Sequence, residues 1–303
     1  MTSARQDQEL VADLAGRHGL KTVADRIVFN EIGLDYRVAF ASTADGTQWV
    51  LRIPRRSDVI EGSMTESRIL ALVRRHLPVQ VPDWRIHSDE LIAYPLLSGT
   101  PGVTLDAQTG ELRWNFDKHS AIFAATLGQA LAALHAIDHE EARAAGLRVL
   151  RPVEVRAEIQ ANIDKVKGEL EVADDLLRRW QAWLADESFW PEHSTVIHGD
   201  LHVGHVLVDA DARATGILDW TEARVADPAT DFMVHLHAFG DEGLEQLLAE
   251  YEKAGGRTWP RLKDHCAELL SAFAVNYALW ALNTNNQEHL QAARTQLQNA
   301  NAS

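Results

Sequence analysis

The stretch Val196-Ile-His-Gly-Asp-Leu-His-Val-Gly-His-Val-Leu-Val-Asp209, followed by Gly216-Ile-Leu-Asp219-Trp220, decides how this chain is read. Short apolar runs rich in β-branched residues read as strands. Two of them bracket a loop that holds Asp200 and His205, and a third delivers Asp219, so three polar side chains converge at strand ends. Phosphoryl transfer asks for such a set. One carboxylate orients the attacking hydroxyl and accepts its proton, a ligand five residues on holds metal, and an Asp on the next strand links Mg²⁺ to nucleotide phosphates. Asp200, His205 and Asp219 stand at those places. A zinc reading of His198, His202 and His205 competes with this one, but Gly199 and Gly204 break any helix that would bring the three rings together. His198 reads better as a brace of the loop backbone, and Asp209 and Asp211 as turn formers.

Composition narrows the partners. The chain has 303 residues, long enough for a core split between two lobes. Its 44 acidic against 29 basic side chains leave a formal charge of −15, which repels nucleic acid and anionic membranes. Cys266 is alone and forms no internal disulfide. The first residues carry no apolar signal segment, and the window Leu269 to Leu282 is too short and too interrupted, by Ser271 and Asn276, to cross a membrane. A cytoplasmic enzyme is expected.

Outward from the loop, residues 6–18 predict an amphipathic helix. Strands are expected at Ile27 to Phe29, Tyr36 to Ala41 and Gln48 to Ile53, with Asp45-Gly46 turning a hairpin. Ser63 and Glu66 are spaced as a capping box, which opens a helix at Ser63. Val81 to Ile86 and Leu91 to Leu97 read as the last two strands of this sheet, and Ser98-Gly-Thr-Pro-Gly102 as a linker. Helical periodicity dominates beyond it, at Ser120 to Ile137, Val155 to Val172, Ala173 to Leu184, after Asp227, near Glu242 to Tyr251 and at Leu262 to Leu282. A last short helix ends the polar tail. Trp180 and Trp183 are expected to anchor the helical core, and His135 to be structural.

His198-Gly-Asp200-Leu-His-Val-Gly-His205, Ile217-Leu-Asp219-Trp220 and Asp227-Pro-Ala-Thr-Asp231 resemble the aminoglycoside phosphotransferase superfamily. With Glu31-Ile-Gly-Leu-Asp-Tyr-Arg37 and Trp49-Val-Leu-Arg-Ile-Pro-Arg-Arg56, the chain looks like a macrolide 2'-phosphotransferase of that superfamily. The resemblance implies an α+β, bilobal protein-kinase-like fold, with a nucleotide-binding lobe at 1–98 and a catalytic, substrate-binding lobe at 99–303. It also implies Mg²⁺, GTP or ATP as phosphate donor, and a macrolide as acceptor.

Residue by residue, Gly33 would lie in the loop over the phosphates, where the bland reading is a plain turn. Arg52 stands where kinases place a lysine, and a surface charge is the alternative. Glu66 would hold Arg52 toward the phosphates unless it is only a cap. Tyr94, Leu96 and Leu97 would meet the purine edge, with Pro95 offering no N–H. Asp231 is expected to brace the loop and to lie at the substrate side. For the acceptor, Phe273, Tyr277 and Trp280 offer apolar area, and Glu268 a carboxylate for a cationic amino sugar. Most of those aromatic residues would be core by default. Two other readings are an aminoglycoside or small-alcohol kinase of the same fold, and an inactive kinase-like binding module, against which the intact Asp200 and Asp219 speak.

Overall fold

The first sheet follows from a period of two. In the computed structural model, which describes residues 3–31, 35–106, 109–284 and 286–298, strands β1 (Val28–Asn30), β2 (Tyr36–Ser42), β3 (Gln48–Pro54), β4 (Ile86–His87) and β5 (Ile92–Pro95) form an antiparallel sheet. Its order is β1-β2-β3-β5-β4. Ala39, Ala41, Leu51 and Ala93 face Val11 and Ala15 of α1 (Ser3–Arg17). The alternate residues Tyr36, Val50, Ile92 and Tyr94 face the other way. The β2–β3 turn closes through Gly46, whose φ of 89° is open to glycine, as Asp45-Gly46 predicts.

Helix α2 spans Asp58–His76, so it starts five residues before Ser63. The capping box is therefore corrected. Ser63 lies within the helix and donates to the Ile60 carbonyl, while its hydroxyl also pairs with His87 Nε2 at 2.8 Å. Capping spacing recurs by chance at any Ser and Glu one turn apart, and it marks a terminus only where the helix ends. Of the expected strand at 81–86 only Ile86 pairs, together with His87. Pro82 removes one ladder donor from the preceding run.

After Ser98 the chain joins a second sheet: β6 (Thr100–Pro101) pairs with β10 (Val206–Val208), which pairs with β11 (Ala214–Ile217). A hairpin that the sequence reading did not anticipate follows, β7 (Val103–Leu105) and β8 (Leu112–Trp114). The pair β9 (Thr195–Ile197) and β12 (Arg224–Ala226) completes the strands. Helices α3 (Ala121–His135), α4 (His139–Ala144), α5 (Pro152–Glu169), α6 (Asp174–Ala185), α7 (Thr230–Lys253, bent at Gly240), α8 (Leu262–Thr284) and α9 (Gln287–Gln298) make up the rest.

Two cores result. One joins Ile69, Leu72 and Val73 of α2 to Phe123, Leu131, Trp220 and Phe232, so α2 is packed on the helical part as well as on the sheet. The other gathers Trp180 and Trp183 with α8 and α9. Among the described residues, no helix is long and apolar enough to cross a membrane.

Candidate active site

The loop between β9 and β10 carries Asp200 and His205, and Asp219 follows β11. Its shape is set from beneath by Asp231, 1% exposed, whose two oxygens accept the N–H groups of His198 and Gly199, each at 2.8 Å. His135 Nε2 donates to the same carboxylate at 3.2 Å, and its Nδ1 meets the Tyr251 hydroxyl at 2.8 Å. Burial opposes the charge on Asp231, but the His135 bond and charge lead the influences that hold its carboxyl below the usual range. Gly199 takes φ +85°, and a Cβ there would sit 2.4 Å from the Glu222 carbonyl, so only glycine fits. His198 spends both ring nitrogens on the loop: Nε2 donates to the Leu218 carbonyl and Nδ1 accepts the Asp200 N–H. That removes it from any three-histidine zinc site.

His205 bridges the two aspartates. Its Nδ1 donates to the Asp200 backbone carbonyl at 2.9 Å and lies 3.7 Å from the Asp200 carboxylate, while Nε2 lies 3.8 Å from Asp219 Oδ2. With the proton fixed on Nδ1, the Nε2 lone pair faces Asp219, the arrangement in which imidazole serves as a metal ligand. Nitrogen plus carboxylate suits a divalent cation, so these two residues fit Mg²⁺, with the imidazole its less usual donor. Asp219 adopts φ +58°, a left-handed conformation uncommon outside glycine, and the Thr221 hydroxyl donates to its Oδ1 at 2.7 Å. Burial works against its ionisation, yet the Thr221 bond, the nearby His205 and the Arg52 guanidinium bring its carboxyl below the usual range. Asp200 moves the opposite way, raised by burial and by the neighbouring carboxylates of Asp219 and Glu222 against the pull of His205. His202 is also close: one ligand atom each from Asp200, His202 and His205 lie within 4.8 Å of one another. Its Nδ1, however, accepts the Gly204 N–H.

A cavity of about 580 Å³ opens between the two sheets beside this group. Val38 and Val50 line it from the first sheet, Leu207 and Leu218 from the second, with Arg52, His205 and Asp219 at its polar end. Arg52 makes a 2.9 Å ion pair with Glu66, which is 3% exposed, and its guanidinium stacks 4.0 Å from the Tyr36 ring. Tyr94, Leu96 and Leu97 line the same cavity. The Leu96 N–H is spent on the Gln48 carbonyl and the Ser98 N–H on Gln80, whereas among the described residues the Leu97 N–H meets no such acceptor. The Gly33 expectation falls outside the described residues.

Five residues expected at the acceptor, Asp231, Glu268, Phe273, Tyr277 and Trp280, lie away from this cavity. Asp231 is buried beneath the loop with its oxygens occupied. Both oxygens of Glu268 share the Arg179 Nε–H, at 2.9 and 3.1 Å, so this carboxylate is already paired with a cation of the chain itself. Tyr277 bonds His289 on α9, and Trp280 packs edge-on against the same ring at 4.6 Å. Neither they nor Phe273, 48% exposed on α8, line the cavity. The sequence reading missed the β7–β8 hairpin, whose root lies on the loop: a Cβ at Gly102 would meet Val203 at 2.7 Å, and one at Gly204 the Val103 carbonyl at 3.5 Å. Leu105 and Leu112 face each other across it and are 50% and 67% exposed. Its signal was the alternation Val103-Thr-Leu105 and Leu112-Arg-Trp114 around Gly110.

Known proteins resemble this chain over nearly its full length. A solved macrolide 2'-phosphotransferase type I is 46% identical, covering 99% of each chain, with a TM-score of 0.91. The apoenzyme of macrolide 2'-phosphotransferase MphH from Brachybacterium faecium is likewise 46% identical over 98% of this chain and 99% of its own, with a TM-score of 0.92. The uncharacterized protein YcbJ of Bacillus subtilis (strain 168) is 42% identical over 97% of both. A kanamycin and GDP complex of an aminoglycoside enzyme, at 20% identity and a TM-score of 0.74 over 89% of this chain and 91% of its own, shares the fold. With residues 26–265 matching it, the chain belongs to the phosphotransferase enzyme family.

Proposed function

We propose that this protein transfers the γ-phosphate of GTP or ATP to the 2'-hydroxyl of the amino sugar of a macrolide antibiotic, conferring resistance. The full-length likeness to two macrolide 2'-phosphotransferases carries the choice of acceptor. The geometry is consistent with it. On this reading residues 1–98 form the nucleotide lobe and 99–303 the catalytic lobe, and the purine lies between Val38 and Leu207 with its edge at Leu97. Arg52, held by Glu66, contacts the phosphates. His205 and Asp219 would hold Mg²⁺, which when bound would draw off charge from the transferring phosphoryl group.

Asp200 orients the acceptor hydroxyl. As the acceptor oxygen bonds to the γ-phosphorus, the bond from that phosphorus to the β–γ bridging oxygen breaks, the nucleoside diphosphate leaves, and the hydroxyl proton passes to the Asp200 carboxylate. The carboxylates of Asp200, Asp219 and Glu222 lie close enough to influence one another, and their negative field suits a protonated amino sugar. Leu105 and Leu112, on a hairpin rooted at the loop, offer apolar area for a macrolactone.

The test is incubation with GTP or ATP, Mg²⁺ and a panel of macrolides, aminoglycosides and small alcohols, with the product read by mass and ³¹P NMR. Phosphate is expected on the macrolide 2'-oxygen, none on a macrolide blocked there, and a loss of about 10²–10⁴-fold in turnover for Asp200→Ala. Transfer to an aminoglycoside in preference, or to a 2'-blocked macrolide, would overturn the assignment.

A further inference from the structure

We propose that His202 is a positioning residue for His205: its ring is the wall that holds His205 with Nε2 toward Asp219. The proposal rests on reading His205 and Asp219 as the ligands of the cation. Among the described residues one hydrogen bond, from Nδ1 to the Asp200 carbonyl, holds the His205 ring, and one point of attachment does not set the plane of a ring. Something else must set it. The ring of His202 lies 3.7 Å from that of His205, centroid to centroid, at 34°, whereas the next ring, that of His198, is 5.9 Å away. His202 is the face against which His205 rests.

His202 is itself held. It precedes the short 3₁₀ turn Val203–His205, and its Nδ1 accepts the Gly204 N–H at 3.1 Å. The ring lies so close over Gly204 that a Cβ there would stand 2.9 Å from its Cε1 and 3.0 Å from its Nδ1. The His-Val-Gly-His spacing thus has a physical reason. The first histidine folds back over the glycine, and the freedom of space at Gly204 lets its ring reach the second histidine.

Three variants separate the ring from the cap. His202→Phe keeps a flat face but removes the acceptor, His202→Asn keeps an acceptor at the cap but removes the face, and His202→Ala removes both. Two quantities are read: the tautomer of His205 in the metal-free protein, from ¹⁵N imidazole spectra, and Mn²⁺ affinity in the presence of a non-hydrolysable GTP or ATP analogue. Asn and Ala should lower Mn²⁺ affinity about tenfold, or about 1.4 kcal/mol. They should also mix the His205 tautomers and leave the acceptor KM within about twofold, whereas Phe should stay within about threefold of the parent in affinity. Parent-like behaviour of Asn, or equal loss in Phe and Asn, would overturn the proposal. His205→Ala and Asp219→Ala are run alongside. If they lower Mn²⁺ affinity and the His202 variants do not, only the positioning role falls; if they too leave it unchanged, the metal reading falls with it.

Discussion

Removing the Asp231 carboxylate should loosen the catalytic loop without touching any ligand. Asp231→Ala strips three bonds at once, from the His198 and Gly199 N–H groups at 2.8 Å and from His135 Nε2 at 3.2 Å. Each bond to a charged group is worth about 1.5–3 kcal/mol, and the donors left behind are buried, so part of the loss cannot be recovered from water. Summed bond by bond this would be about 4.5–9 kcal/mol, but removing the carboxylate also removes its own cost of burial, so a net of about 3–5 kcal/mol is expected, as for other broken buried charge pairs. At roughly 2 °C per kcal/mol for a chain of this length, the midpoint of thermal unfolding should fall by about 6–10 °C. Because Gly199 directly precedes Asp200, kcat should fall at least about tenfold while nucleotide affinity changes less. Asp231→Asn should not rescue, since its amide would point a donor at a donor. Circular dichroism melts and initial rates read both quantities. A drop under about 2 °C with kcat within about twofold of the parent would refute the brace.

The same carboxylate predicts a pH dependence whose sign can be worked out. Asp231 is held below its ordinary range in the native state, so the unfolded chain binds the proton more readily. Its contribution is complete above the unfolded value, about 3.9, and is lost as pH falls through the lower native value. The stability gap between the parent and Asp231→Asn should therefore be constant near neutral pH and close below about pH 4.

Glu66→Gln should weaken nucleotide binding by about tenfold or more in calorimetric titration, because Arg52 loses its ion pair with Glu66 and is left with its stacking on Tyr36 and Trp84 to aim it; unchanged affinity would remove Arg52 from the phosphate site. Leu105→Ser with Leu112→Ser should leave stability within about 0.5 kcal/mol per site, both being exposed, while raising the macrolide KM several-fold. An unaltered KM would place the lactone elsewhere.

What could be read from sequence depended on how local the determining physics is. The loop was legible because its demands sit within ten residues: a glycine where φ is positive, an aspartate beside it, and β-branched runs to either side. The brace by Asp231 was also legible, since a buried aspartate at a helix start has few donors to satisfy it other than a nearby backbone. Glu268 shows the limit. Its charge is cancelled by Arg179, 89 residues away in the chain, and no local pattern announces that pairing. The surroundings of the aromatic residues of α8 were hidden for a related reason. Periodicity says that Phe273, Tyr277 and Trp280 share a face, but the neighbour of that face is decided by where α9 returns, and His289 meets two of the three.

The hairpin at 103–114 was hidden by its brevity and by the exposure of its own apolar pair. Three-residue strands give too few alternations to stand out, and a leucine left in solvent looks like noise until its position is known. That position is informative. Gly102 lies against Val203, so whatever covers Leu105 and Leu112 must sit close to the loop that carries Asp200. An exposed cross-strand leucine pair weakens a hairpin's own case for existing, and a hairpin this short gains little from its ladder alone. Its root is held instead by Trp114 and Phe116 packing on Phe239 and Phe123, so the outer leucines are not needed to hold the hairpin in place.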